Sequence, residues 1–585
     1  MSTYGIGIDF GATTCVVAMS KNGQTEVIPN EMGNRSTNVC VSYVKAADGS
    51  STITVGDAAY NQKERNLPGT VRDFKKLLGQ PFDDEITQED IAESKALKHL
   101  EIVEASSSSK SCAIKFAWEE ASVPLEDIAS LVFAKVRETA SLYLGEEVTH
   151  CVLTVPSHYS DEKAELLKAC CESCPNWGHE NSATQLKVMR LLKEPCAALI
   201  AHGLDVTPAY LAHRLIPGMA APNVSSVSGA ASAQQGSAAT AGGNGLAAVK
   251  DEEKTVAVVD LGASTFDCSV FTVNKNSGIF RPVTSVGSGS LGCKLMDETL
   301  FDYCVKDLKR KDPKAALQLK KEERAMLRLK EACEKAKKAL TVSKRATIEV
   351  EALLGDVDFF TQVTREQFEE MLKKEDEEKN VIDQLKEMLE EVQEKVAAST
   401  TSSSTKINEY LCIGGGCNIP VVSQTIAEAF SASKAKELKG ETDLLAEEVV
   451  AMGAAIQADV LLNMGATDEG ELVVSAELKG NVEPADDDDT PGIAMEGSAL
   501  SQAVGISVKK GNAKSFFPVL HKGVPVPVSQ KESFACAPGS FNIEVVAADG
   551  TPLTTVSIEE TSHHHIDLMF SVDGKGSLTV ENVTH

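Results

Sequence analysis

Two distant stretches of this chain carry the same pattern. GIDFGATTC occupies residues 7–15 and VVDLGASTFD occupies 258–267. In each, an apolar run leads to Asp, one further apolar residue, Gly, and then small or hydroxylated residues. A strand ending in Asp and Gly can aim successive backbone N–H groups at an anion, and glycine lets the chain turn without a Cβ in the way. One such turn is weak. Two of them, with IGGGCNIP at 413–420 as a third glycine turn, predict two lobes whose facing loops clasp one nucleotide.

The surrounding pattern supports two α/β lobes. YGIGIDFG and THCVLTVP (149–156) read as strands. EDIASLVFAKVRETASLYLG (126–145) has apolar residues at helical spacing and a terminator at Gly145. Between 208 and 249 the composition turns to Ala, Gly, Ser and Pro, too poor in apolar surface to offset the cost of ordering, and it reads as an exposed insertion. TVAVVDLG and TFDCSVFTV then open the second lobe. KKEERAMLRLKEACEKAKKAL (320–340) reads as a charged helix with a buried stripe, and 366–398 as a helical, solvated stretch without a sustained heptad. AEEVVAMGAAIQADVLL (446–462) closes the α/β region.

Beyond it, VEPADDDDTPG (482–492) reads as a hydrated linker, followed by short strands separated by Gly, Pro and Asp turns. The expected organisation is nucleotide-binding lobe I at 1–207, the insertion at 208–250, lobe II at 251–440, a return to lobe I at 441–465, an acidic linker at 466–500 and a truncated substrate-binding-like β domain at 501–585.

Composition narrows the function. With 42% hydrophobic and 24% charged residues, a soluble globular protein is expected. A net charge of -28 disfavours a bare grip on nucleic acid, so no direct specific nucleic-acid binding is expected. Neither a signal peptide nor a membrane span is read from the sequence. The 15 cysteines are scattered and fit a reducing cytosol. Cys171 and Cys174 form a CxxC beside Cys170 and His179, but no second CxxC completes a zinc site, so structural thiols are expected. His563, His564 and His565 read as an exposed turn or strand start, because an extended chain sends neighbours to opposite faces.

Asp9 and Asp260, at the ends of the two strands, are the natural organisers of a hydrated magnesium ion, with Asp267 orienting the second loop or a water. Further segments agree in order: NLPGTVRDFKKLLGQPF (66–82), VLTVPSHYS (152–160), LLKEPCAALIAHG (191–203), LKEACEKAKKAL (329–340) and LCIGGGCNIP (411–420). Over residues 1 to about 465 the chain resembles the actin-like ATPase region of the 70-kDa heat-shock protein family.

That resemblance implies an α/β, two-lobed actin-like ATPase fold followed by a small lidless β-sandwich-like domain, with ATP and Mg2+ as ligands. By family position Lys75 approaches the γ-phosphate and attacking water, and Glu194 supports the metal waters. Lys75, Glu194 and Asp260 are thus the catalytic candidates, and Asp9, Asp260 and Glu194 the metal candidates, mainly through water. Nucleotide contacts are implied for Gly11, Ala12, Thr13 and Thr14, for Gly262, Ala263, Ser264 and Thr265, for Gly292, and for Gly414, Gly415 and Gly416. Glu334, Lys337 and Lys338 resemble the helix face that clamps adenosine.

The chain also departs from the family pattern. Ala12 stands where a threonine is usual, and Ala263 and Ser264 stand where glycines are usual. Cys293 and Lys294 replace glycine and glutamate in GSGSLGCKLMD (287–297). Gly416 and Asn418 replace a serine and an adenine-stacking arginine. Hydrolysis needs tighter placement of water and phosphate than binding does, so nucleotide binding with slow or absent turnover is expected.

SFFPVLHKGVPVPVSQKESF (515–534) and GKGSLTVENV resemble strands of the family's peptide-binding domain. With the phrases LIAHG, NSGIF and FFPVLHKGVPVPV, they resemble the Ssz-type subfamily of the ribosome-associated complex. This implies a zuotin-type J-domain partner, a separate conventional 70-kDa chaperone that the pair stimulates, and contact with the ribosome and nascent chain through the partner. The implied location is the cytoplasm, partly on ribosomes, with no membrane association. The alternative is an ATP-hydrolysing chaperone cycling on unfolded peptides. An actin-like filament subunit or sugar kinase shares the clasp, but LLKEPCAAL, LKEACEKAKK and the terminal β domain argue against it.

Overall fold

The alternation of glycine and isoleucine in the first strand sets how lobe I is built. Ile6, Ile8 and Phe10 point into one core, while Gly5 and Gly7 leave the opposite face flat enough for a helix backbone to lie on it. The computed structural model describes residues 4–204, 253–463 and most of 495–582. It leaves aside 22–23, 46–50, 94–96, 98, 106–110, 120, 179–183, 275–278, 374–379, 399–405, 439–443 and short C-terminal stretches. The insertion at 208–250 and the acidic run at 482–492 lie outside the described residues.

The chain forms two compact units, one of Met1–Gly278 with Pro282–Gly465, the other of Ala466–His585 grouped with Ile279–Arg281. In the first unit, lobe I is built on β1 (Gly5–Phe10), β2 (Thr14–Lys21), β3 (Gln24–Val27), β4 (His150–Val155) and β5 (Lys187–Lys193). Their order across the sheet is β5-β4-β1-β2-β3, with Thr37–Asn38 also pairing β2. Lobe II is built on β6 (Glu253–Leu261), β7 (Phe266–Asn274), β8 (Ile279–Ser288), β9 (Glu409–Ile413) and β10 (Lys436–Glu437), in the order β10-β9-β6-β7-β8.

The two orders are the same topology. In each sheet the first strand runs antiparallel to the second and parallel to a strand far along the chain. The register matches as well: Phe10 pairs Cys15 and Leu261 pairs Phe266 at the last rung before the two loops. The duplicated motif in the sequence is therefore a duplicated sheet.

Helices α1 (Leu125–Leu144), α2 (Asp161–Glu172) and α3 (Glu194–Ala201) belong to lobe I. Gly145, at φ 70°, ends α1 in the left-handed conformation that glycine adopts without strain. Lobe II carries α4 (Cys293–Lys311), α5 (Glu323–Val342) and α6 (Val381–Ala398). The stretch read as one helical region at 366–398 holds a separate helix, Arg365–Leu372, ahead of α6. Thr364 and Gln367 start it with a capping box, visible in the sequence as TREQ.

The last helix of this unit, α7 (Val449–Asn463), lies on β1, β2 and α3. A methyl at Gly7 would overlap the Ala455 amide and the Ala451 carbonyl, and one at Gly453 would overlap the Ala197 carbonyl. Both glycines are there because two backbones nearly touch.

Among its described residues the second unit holds a two-stranded ribbon of Met495–Glu496 with Ala499–Leu500 and two larger sheets. Ala513–Leu520, Val504–Lys510, Gly539–Ala547 and Pro552–Thr561 form one, and Val528–Ala535, His565–Val572 and Leu578–Asn582 the other. Leu568, Phe570 and Val572 alternate into its interior, as a sheet with one covered face requires. His563 and His564 lie outside the described residues, and His565 begins a strand.

Most described cysteines are buried, including the CxxC pair and Cys170, and burial first of all pushes the Cys170 thiol up to about 12 and that of Cys174 to about 11. Cys171 lies 3.9 Å from Cys151, sulfur to sulfur, inside the lobe I core. His179 lies outside the described residues. Among the described residues, no helix is long and apolar enough to cross a membrane.

Candidate functional site

The two loops are closed in the same way. The Gly11 amide donates to the Thr14 carbonyl at 3.0 Å, and the Gly262 amide donates to the Thr265 carbonyl at 3.0 Å. A Cβ on Gly11 would stand 2.6 Å from the Thr14 oxygen, so that turn needs its glycine. Ala12, Thr13, Thr14, Ala263, Ser264 and Thr265 are all partly exposed.

Gly292, the N-cap of α4, fits under the second loop: a Cβ there would lie 2.5 Å from the Ser264 carbonyl carbon. The next two amides donate back to that loop, Cys293 to the Gly262 carbonyl at 3.0 Å and Lys294 to the Ala263 carbonyl at 2.9 Å. Gly414, at φ 79°, brings the third turn against Asp260, where a Cβ would be 2.5 Å from Oδ1. Gly416 packs on Leu261, and Gly415 is exposed beside Glu447.

Lys75 lies between the two strand ends. Its ammonium donates to the Phe10 carbonyl and stands 3.7 Å from Glu194 Oε1. Burial opposes its charge, but Tyr159, Glu194, Asp9 and Asp260 together hold its pKa above the ordinary lysine value. The carboxylates are raised as well, which for them favours the neutral form. Burial raises Asp9, against Lys75 and a 3.4 Å hydrogen bond from Thr154. Burial, then the charges of Glu194, Asp9 and Asp267, raise Asp260 well above the usual range. Glu194 is raised to about 7, first by burial and then by Asp9 and Asp267, with Lys75 and His158 opposing.

One buried ammonium thus faces Asp9, Asp260 and Glu194, which repel one another. That donor set fits a hydrated divalent cation, which would relieve the repulsion. Among the described residues no three His, Cys, Asp or Glu side chains converge tightly enough to ligate an ion directly. Asp9, Asp260 and Glu194 would therefore hold such an ion through its water shell, where it would neutralise phosphate charge.

Of the adenosine candidates, Glu334 and Lys338 pair with each other at 2.8 Å along the partly exposed side of α5. Lys337 turns inward: its ammonium is 2.7 Å from Asp297 Oδ2 and 3.2 Å from the Cys293 carbonyl. It supports the start of α4 from below.

Several cleft contacts carried no signal of their own in the sequence. Ser157 donates to Asp267 Oδ1 at 2.9 Å, and His158 Nδ1 lies 2.8 Å from Oδ2, so a loop of lobe I holds a strand of lobe II. Lys294 Nζ meets Asp73 Oδ1 at 2.9 Å, and Lys63 meets Glu331 at 2.8 Å, also between the lobes. None has a spacing rule; each pair is made by the fold.

Two equivalent α/β lobes with paired loops, a lysine and carboxylates in the cleft define the actin-like ATPase class. Within that class, the family model of the Hsp70 protein matches residues 5–218 and 233–538. The chain belongs to the Hsp70 family. It is 31% identical to heat shock cognate 70 kDa protein 3 of Dictyostelium discoideum, over 80% of this chain and 62% of that relative's length. With heat shock 70 kDa protein of Trichophyton rubrum it shares 28% identity, over 98% of this chain and 74% of the relative. Members of the family generally bind ATP with Mg2+.

Proposed function

We propose that this chain is an ATP-binding, Ssz-type chaperone of the Hsp70 family that assists nascent chains at the ribosome together with a zuotin-type J-domain protein. The observation that carries nucleotide binding is the matched pair of loop closures at Gly11 and Gly262 around Lys75. ATP with Mg2+ is the ligand, and Asp9, Asp260 and Glu194 meet the ion through water. The partner, in turn, stimulates a conventional 70-kDa chaperone and supplies the ribosome contact. The location is the cytoplasm, partly on ribosomes.

Weak or absent hydrolysis follows from the loop chemistry. Ala12 offers no hydroxyl to the phosphate, and the Cβ atoms of Ala263 and Ser264 stand where close backbone approach is needed. Lys75 and the carboxylates still favour tight binding. In this reading, retained ATP holds the two lobes as a scaffold for the partner.

The test is single-turnover ATP hydrolysis on the purified full chain, alone and with a J-domain protein, with bound nucleotide quantified before and after. ATP retained unhydrolysed is the expected result. Rapid, J-stimulated conversion to ADP would overturn it in favour of a chaperone that cycles on peptide clients. Absence of bound nucleotide would remove the ATP assignment itself.

A further inference from the structure

Lys163 stands in the first turn of α2, where Ser160 caps the helix by accepting the Lys163 amide at 3.3 Å. Its ammonium lies over the Tyr159 ring, 4.8 Å from the centroid. The same ring is 5.7 Å from Lys75 Nζ. A single phenol therefore separates the cleft lysine from a second lysine outside it.

Among the described residues no carboxylate forms an ion pair with that second lysine. Lys76 takes up Asp90 at 2.6 Å, and among the described residues no acidic group lies within ion-pair distance of Lys163. Asp161 and Glu162 precede it on the same helix, but neither pairs with it. The free N–H groups at a helix start add a positive field of their own. Burial first, then repulsion from Lys75 and Lys76 against attraction by Asp90, brings Lys163 down to about 8. It remains partly exposed, so a reagent can reach it.

We propose that Lys163 is a nucleophilic lysine and a site of acylation by thioesters, placed beside Tyr159 where its modification is felt at Lys75. The neutral amine attacks the thioester carbonyl carbon. A C–N bond forms, the C–S bond breaks, and the sulfur leaves as a thiolate that takes the amine's proton. Amine and thioester become amide and thiol with no change in oxidation state. A desolvated lysine beside other cations is activated in this way because more of it is neutral near pH 7. Acylation removes the cation over Tyr159 and with it the repulsion on Lys75.

The test is incubation of the full chain with acetyl-coenzyme A between pH 6.5 and 9.5, with site-resolved mass spectrometry. At pH 7.5, Lys163 should be acetylated about tenfold faster than exposed Lys321, its larger neutral fraction outweighing a weaker intrinsic nucleophilicity. Its rate should level off above about pH 8. Lys76→Gln removes one repelling charge and frees Asp90, so the plateau should move up by about one pH unit. Labelling of Lys163 no faster than Lys321, a rate without a plateau, or a plateau unmoved in Lys76→Gln would each overturn the proposal.

Discussion

Lys294 reaches across the cleft to Asp73, Nζ to Oδ1 at 2.9 Å, while its own amide holds the Ala263 carbonyl of the second loop. Asp73 adopts φ 60°, a left-handed conformation that costs a non-glycine residue energy, and it also receives Arg72 at 3.0 Å. Two residues further on, Lys75 holds the first loop at Phe10. The ion pair therefore ties both glycine loops together through the protein itself. Lys294→Glu should put two carboxylates in contact and release bound nucleotide about tenfold faster, the equivalent of roughly 1.4 kcal/mol. Because Lys294 is partly exposed, added salt should shrink the difference. Stopped-flow release of a fluorescent ATP analogue measures it, and an unchanged rate at low salt would refute the clasp.

Asp57 makes a different kind of tie. Its buried carboxylate accepts from the Asn38 amide at 3.0 Å and from the side chains of Asn38, Asn30 and Asn34 at 2.6, 2.7 and 2.7 Å. Burial alone would raise its pKa, but these donors win and hold it below the ordinary aspartate value. A depressed folded value gives stability that is present above the unfolded pKa of about 3.9 and is lost as pH falls through the folded one. Asp57→Ala should lower the opening free energy of residues 28–38 by about 1–3 kcal/mol, since it removes four hydrogen bonds and strands the buried Asn30 side chain. Amide hydrogen exchange should show that gap constant from pH 7 to 5 and closing below about pH 4. A gap that persists undiminished at pH 3 would count against the assignment.

What the sequence made legible was local. The two Asp–Gly loops, the third glycine turn and the Gly145 terminator each depend on residues a few positions apart, and all are where the sequence implies. Lys337 shows the limit, because its position on a charged helix face says nothing about Asp297 beneath it. The same holds for Ser157 and His158 with Asp267, and for Lys63 with Glu331: no periodicity links them, and only the closing of two sheets brings them together. The glycines at 5 and 7 were readable as glycines, but the helix they admit, which carries Gly453, comes from the far end of the lobe.

That helix gives the third prediction. Gly453 sits against the Ala197 carbonyl, with no space for a methyl, where α7 crosses α3. Moving either backbone would shift Glu194, the first residue of α3, away from Lys75. Gly453→Ala should therefore destabilise the nucleotide-binding unit by about 3 kcal/mol, at the upper end of overpacking costs. It should also weaken nucleotide affinity beyond what Gly203→Ala does, a control that strains the backbone at φ 65° but brings no methyl against a neighbour. Thermal unfolding and equilibrium nucleotide titration read the two effects; a Gly453→Ala chain with unaltered melting and affinity would mean the helices can separate freely.

Ala12 bears on turnover. The loop around it is fixed by neighbours: Gly11 donates to Thr14, and the Thr13 carbonyl accepts from Val39 at 2.9 Å. Its side chain takes no part in these bonds, so Ala12→Thr leaves the backbone in place and adds one hydroxyl at the proposed phosphate site. If missing polar contact there limits the chemistry, single-turnover hydrolysis should rise by about tenfold, in line with one added transition-state hydrogen bond. Nucleotide affinity should change little, because in the proposed function the backbone N–H groups and Lys75 bind the phosphates. Lys75→Ala in the same background should abolish the gain, which separates a restored reaction from contaminating ATPase. An Ala12→Thr chain that hydrolyses no faster would move the cause of the proposed slow turnover to the second loop, to Ala263 and Ser264.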